Sequence, residues 1–289
     1  MNHELNKPSF YILKPEEHTV PEDMKKFVET FEPIYFLPES KDKVDNLYYL
    51  RVSQSQRWIE DEMEELLWTE SHNWKSSDVI HILAWKMGRI DHSKCKTKGI
   101  YEFTGNDERQ KPKKVSWSDG TKHNFLKANN RSGNIDHISE FVNNILNLRE
   151  SYKEKNCNNI NKRELLKALQ NTININGESK VTGIGTVYLI TILSFISGGK
   201  YPIYDQFAAM AAKAILEGKK PGSRISIDDL PDKNSNAFID MLDDAESPYF
   251  QYIQNIETLS AMYYDGDKSR YQKDRHLDRA LWVYGHLFG

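Results

Sequence analysis

Apolar residues recur along this chain mostly at the three-and-four spacing of a helix face. Ile59, Met63, Leu66 and Leu67 line one such face; Ile80, Leu83, Ala84 and Met87 line another, with Ser76 or Ser77 as the expected cap. Ile138, Phe141, Val142 and Ile145 repeat the pattern behind Asp136. Leu165, Leu166 and Leu169 follow Asn161, with Glu164 at capping-box spacing. Further helices are expected over 207–215, over 238–242, from Ser247-Pro248 toward Met262, and over 277–287. Only 10–13, 48–52 and 115–117 read as strands. The pattern predicts a mainly α protein with a few short strands.

Periodicity breaks over 94–122, where Gly99, Gly105, Pro112 and Gly120 mark a long insertion that can hold a hairpin. Charge concentrates in the same region. Between residues 86 and 131 there are twelve basic side chains against five acidic ones, a balance of +7 in a chain whose net charge is -3. Such a strip suits phosphates, and Lys111, Lys113 and Lys114 are its candidate contacts; a solvated loop explains it equally well. The acidic group Glu60, Asp61, Glu62, Glu64 and Glu65 reads as a solvated helix face.

Composition sets looser bounds. With 289 residues and 38% hydrophobic content the chain can bury a core as one domain or two lobes. Its mean hydropathy is -0.69, and no apolar run approaches the roughly 20 residues that span a bilayer, so no membrane partner is expected. The N-terminal residues lack the apolar core of a signal peptide, and two distant cysteines, Cys95 and Cys157, provide no disulfide framework. A cytoplasmic home and a monomer are expected. His92 and Cys95 have a ligand-like interval but no second pair, so no metal site is expected.

The most specific chemistry lies in Gly183-Ile184-Gly185-Thr186-Val187-Tyr188-Leu189, followed by Tyr201-Pro202-Ile203-Tyr204-Asp205. Two glycines allow a sharp turn and a close approach of backbone to ligand, and the helix beginning near Thr186 offers free amides to a phosphate oxygen. Asp205 precedes Phe207-Ala208-Ala209-Met210-Ala211, where an N-cap is the default role for Asp. The cap does not preclude chemistry. A carboxylate at a helix N-terminus is held ionised, and an oxocarbenium-like transition state needs an ionised carboxylate.

At these residues the chain resembles the helix-hairpin-helix DNA glycosylase superfamily, with its apolar-Gly-apolar-Gly hairpin, helix and apolar-Pro-apolar-x-Asp stretch. The segments Ile192-Leu193-Ser194-Phe195 and Gly199-Lys200-Tyr201-Pro202-Ile203-Tyr204-Asp205 are most similar to the adenine-excising branch. The resemblance is specific over 182–212. It implies a two-lobed helical fold, with residues 1–70 and 205–289 in one lobe, a helical barrel over 71–204 in the other, and a cleft between them. It also implies that Asp205 is catalytic, that Gly183, Ile184, Gly185, Thr186 and Val187 grip the DNA backbone, and that a monovalent cation can sit at the hairpin carbonyls. No other cofactor is implied.

Departures from the family pattern narrow the activity. Val187 stands where strand-cutting members carry a lysine, so no Schiff-base lyase step is expected. Two cysteines cannot build an iron–sulfur cluster. The stretch 171–180, where the first helix of the motif belongs, is rich in Asn, Gly and Ser, so that helix is expected to be short or displaced. The resulting expectation is a monofunctional DNA glycosylase acting on double-stranded DNA. Tyr188, Tyr204, Trp68 and Trp74 are candidates for the pocket of a flipped base, against a competing role in the core. Substrates range from damaged bases to the glucosylated cytosines of phage DNA removed by phage-defence members of the superfamily. The dense run Arg275-His276-Leu277-Asp278-Arg279 either meets DNA or ties down the last helix. Two alternatives stay open: a non-catalytic hairpin module that binds DNA, and a helical scaffold that binds protein.

Overall fold

A computed structural model of the chain describes residues 23–35, 67, 73–86, 101–103, 112–115, 135–154, 161–175, 178–179, 181, 184–219, 229–263 and 270–288. These residues are mainly helical. In chain order they form α1 (Met24–Tyr35), α2 (Ser76–Lys86), β1 (Tyr101–Phe103), β2 (Pro112–Val115), α3 (Ile135–Glu154), α4 (Lys162–Ile173), β3 (Asn174–Ile175) and β4 (Glu178–Ser179). Then follow α5 (Thr186–Ile196), α6 (Gln206–Leu216), α7 (Asn236–Asp240), α8 (Pro248–Met262) and α9 (Arg270–Phe288). Among them no helix is long and apolar enough to cross a membrane. The described residues fall into two compact units, one within Met1–Arg51, Tyr204–Ile227 and Gln251–Gly289, the other within Val52–Ile203 and Asp228–Phe250.

The second unit is built around α5. Its sequence, TVYLITILSFI, is rich in β-branched residues that disfavour helix, and Gly185 at its start supplies no side-chain cap. Burial overrides both. Every residue from Leu189 to Ile196 is buried, and each large apolar side chain so enclosed contributes about 1.5–3 kcal/mol, against about 1 kcal/mol for a cap. α2, α3 and α4 pack against it. At its far end Gly198, with φ +62°, and Gly199, with φ +80°, close the helix: Gly198 N donates to Phe195 O and Gly199 N to Ser194 O. Buried Arg149 on α3 donates to Ile196 O, placing a cation at the negative end of the α5 dipole.

α4 begins where Asn161 accepts from the amides of Arg163 and Glu164. It ends at Ile173, three residues into the stretch 171–180, and beyond it Asn174 pairs with Ser179 and Ile175 with Glu178 in a minimal antiparallel ribbon. Lys162 pairs with Asp243 and Arg163 with Asp240, while Gln170 Nε2 donates to Lys233 O at 2.7 Å. Residues 229–250 thereby belong with this unit although they follow Asp205 in sequence.

In the insertion, β1 and β2 pair antiparallel with a register shift, Tyr101 opposite Val115 and Glu102 opposite Lys114. Of the strand expected over 115–117, Val115 ends β2; the rest of it, and the strands expected over 10–13 and 48–52, lie outside the described residues. So does the helix of Ile59, Met63 and Leu66, of which only buried Leu67 is described. Two starts differ from expectation. At α2 the Asp78 carboxylate accepts from Lys75 N at 2.7 Å, so Ser76 lies within the helix. α3 begins at Ile135, which puts Asp136 in its first turn.

The first unit joins α1, α6 and α9. α1 was not among the expected helices, although Asp23 caps it through the amides of Lys25 and Lys26, and Met24, Phe27, Val28 and Phe31 lie on one buried face. Phe27 and Phe31 meet the Tyr284 ring edge-on at 5.3 and 5.2 Å, and burial pushes the Tyr284 phenol up from its ordinary value. α6 is small-sided, with Ala208, Ala209, Ala211, Ala212 and Ala214 buried, which lets α9 come close. A Cβ at Gly285 would lie 2.3 Å from Phe207 O and 2.8 Å from Phe207 C. Gly285→Ala is therefore expected to destabilise the protein by about 1–3 kcal/mol through overpacking, read as a lower urea midpoint. An unchanged midpoint would show that the two helices can move apart freely.

Candidate functional site

Gly185 directly precedes α5; its backbone is extended (φ -97°, ψ 177°) and its Cβ position is open, with nothing within 4 Å. Gly185 therefore does not need glycine for its own conformation, contrary to the expectation that both glycines serve a sharp turn. Gly183 lies outside the described residues. Gly185 O accepts from the amides of Tyr188 and Leu189. With no capping side chain at Gly185, the amides of Thr186 and Val187 have no hydrogen-bond acceptor among the described residues. Both residues, and Tyr188, are half-buried, so the start of α5 reaches the surface while the rest of the helix does not.

Two side chains fix this start. Thr186 Oγ1 donates to Pro231 O at 2.7 Å, and Lys233 Nζ donates to the carbonyl of buried Ile184. Lys233 was not anticipated from the sequence, because it lies 49 residues from its partner and nothing local marks it. Partial burial lowers its pKa from the ordinary lysine value, and neighbouring Asp232 opposes that shift. The contact bears on the monovalent cation implied by resemblance. The Ile184 carbonyl is already committed to an ammonium, and a second unit charge about 4 Å away would be repelled by on the order of 4 kcal/mol at an effective dielectric of about 20. This oxygen does not fit a monovalent cation. Among the described residues no group of three or more His, Cys, Asp or Glu converges as a metal site.

Asp205 caps α6. Its backbone is extended, its Oδ1 accepts from Phe207 N at 2.8 Å, and its side chain is half-buried. Among the described residues Oδ2 has no hydrogen-bond donor. The residues on either side are anchored in the first unit. Tyr204 is 1% exposed, its ring edge-on to Tyr252 at 5.5 Å, and the Tyr252 hydroxyl donates to Asp278, which also pairs with Arg275. Phe207 stacks on His286 with ring centres 3.6 Å apart, and Trp282 covers His286 at 4.0 Å. A carboxylate held between buried Tyr204 and half-buried Phe207 presents one oxygen in a fixed direction.

The candidates for a base pocket separate. Tyr204 is core, so the competing role wins there. Trp74 is 4% exposed; its Nε1 donates to Leu67 O at 3.1 Å and the Arg149 guanidinium lies 5.3 Å from its ring, so the indole is used inside the second unit. Tyr188 remains half-buried beside the turn. Trp68, Lys111, His92 and Cys95 lie outside the described residues, and of Lys113 and Lys114 the structure gives only their place on β2. The run Arg275 to Arg279 is an internal network: Arg275 with Asp278, His276 and Arg279 with Glu32 of α1, and both arginines near the Tyr35 ring. Burial lowers the Arg275 pKa, which Asp278 counters.

Compared with protein-family models, curated protein sequences and solved structures, the chain matches none. The site therefore rests on residues and geometry. Gly185→Ala is expected to leave the unfolding free energy within about 0.5 kcal/mol, whereas Gly198→Ala, at φ +62°, loses about 1–2 kcal/mol. Equal losses in urea melts of the two variants would contradict this account of the turn.

Proposed function

We propose that the chain is a monofunctional DNA glycosylase, hydrolysing the N-glycosidic bond of a modified base turned out of double-stranded DNA. The observation that carries this reading is the half-buried Asp205 carboxylate, fixed through Oδ1 by the first turn of α6 and locked between Tyr204 and Phe207. In this role Asp205 stabilises the positive charge that develops on the sugar and aligns the attacking water. The amides of Thr186 and Val187, at a helix start with no capping side chain, are suited to a DNA phosphate. Val187 stands where a lyase lysine would be needed, so the product is an abasic site on an unbroken strand. The two-lobed helix-hairpin-helix architecture belongs to the same proposal.

One observation favours a second reading. Asp205 is already employed as a helix cap, so a DNA-binding module without base release accounts for the same contact. Activity separates the two. Native protein is expected to generate alkali-labile sites on at least one DNA in a panel of normal, damaged and glucosylated phage DNAs. Asp205→Asn should lower the single-turnover rate by at least about a hundredfold, with DNA affinity kept within severalfold. DNA binding without alkali-labile sites across the panel would leave the binding module. For the turn, Gly185→Val is expected to weaken DNA binding about tenfold or more without loss of fold, read by fluorescence anisotropy and circular dichroism.

A further inference from the structure

Lys233 sits on a stretch held at several points. Thr186 Oγ1 fastens Pro231 O, Gln170 Nε2 donates to Lys233 O at 2.7 Å and to Ser235 O at 3.2 Å, and Asn234 N donates to Asp232 Oδ1 at 2.8 Å. With the backbone fixed on both sides, the side chain reaches the residue before Gly185 and donates to Ile184 O. A lysine ammonium carries a full charge and three donors, and among the described residues one is spent there. The carbonyl it engages immediately precedes Gly185 and the amides of Thr186 and Val187. A cation at that carbonyl is therefore beside the place where a phosphate would dock.

We propose that Lys233 is a built-in substitute for a monovalent cation at the glycine turn: its ammonium occupies the Ile184 carbonyl and supplies the positive charge that a bound K+ or Na+ would otherwise bring to a DNA phosphate. The proposal rests on the reading of the turn as a DNA-backbone contact. The cation is covalently attached, so it is present at any salt composition and cannot be exchanged. Backbone binding then follows total ionic strength, as any phosphate contact does, without responding to which alkali cation is in solution.

The test is equilibrium DNA binding in K+, Na+ and N-methyl-D-glucamine buffers at equal ionic strength, with Lys233→Met beside the native protein. Native Kd is expected to vary less than about twofold among the three buffers, and Lys233→Met to reduce the slope of log Kd against log salt by about 0.9, one phosphate contact. A native Kd about tenfold or more tighter in K+ than in N-methyl-D-glucamine would overturn the proposal, as would an unchanged slope in a folded Lys233→Met. If that variant does not fold, Lys233→Gln takes its place, and the native buffer comparison decides independently. Absence of DNA binding by native protein in every buffer would instead remove the underlying reading of the turn, and the proposal with it.

Discussion

A helix dominated by large apolar side chains cannot face water over most of its length, and α5, buried from Leu189 to Ile196, is such a helix. Its enclosure by α2, α3 and α4 organises the second unit. The two ends are treated differently. The C-terminal end is closed by a left-handed glycine turn and a buried arginine, whereas the N-terminal end has no capping side chain among the described residues and reaches the surface. Unpaired amides at an exposed helix start are tolerated because water can serve them, and a phosphate oxygen can do so as well.

In the first unit the corresponding constraint is the approach of α9 to the first turn of α6, where Gly285 leaves room for Phe207 O. That approach, the His286–Phe207 stack and the Tyr204–Tyr252–Asp278 chain hold the residues flanking Asp205. The Asp205 cap and its proposed chemistry depend on the same geometry. One oxygen is committed to the helix, and the direction of the other follows from it.

Much of this was legible in the sequence because it is local. Apolar spacing announced the helices around 165–169, over 207–215 and over 277–287, the last of which starts earlier, at Arg270, and cap chemistry announced Asn161 and Asp205. α1 was missed although its Met24-Phe27-Val28-Phe31 face behind Asp23 is a plain helical signal; Pro33 near its end obscures it. Lys233 was illegible for a different reason. Its contact joins residues far apart in sequence, and only packing of the 229–250 segment on α4 brings them together. The extended backbone of Gly185 was not legible, because composition reveals a glycine but not its φ.

In the proposed function, Asp205 stabilises positive charge on a DNA sugar. The most direct measurement is the affinity of the protein for duplexes carrying a cationic pyrrolidine abasic analogue or a neutral tetrahydrofuran one. Binding to the cationic duplex is expected to be tighter by about a hundredfold or more, a preference abolished in Asp205→Asn. Equal affinity for the two duplexes, or a preference that survives in Asp205→Asn, would contradict it.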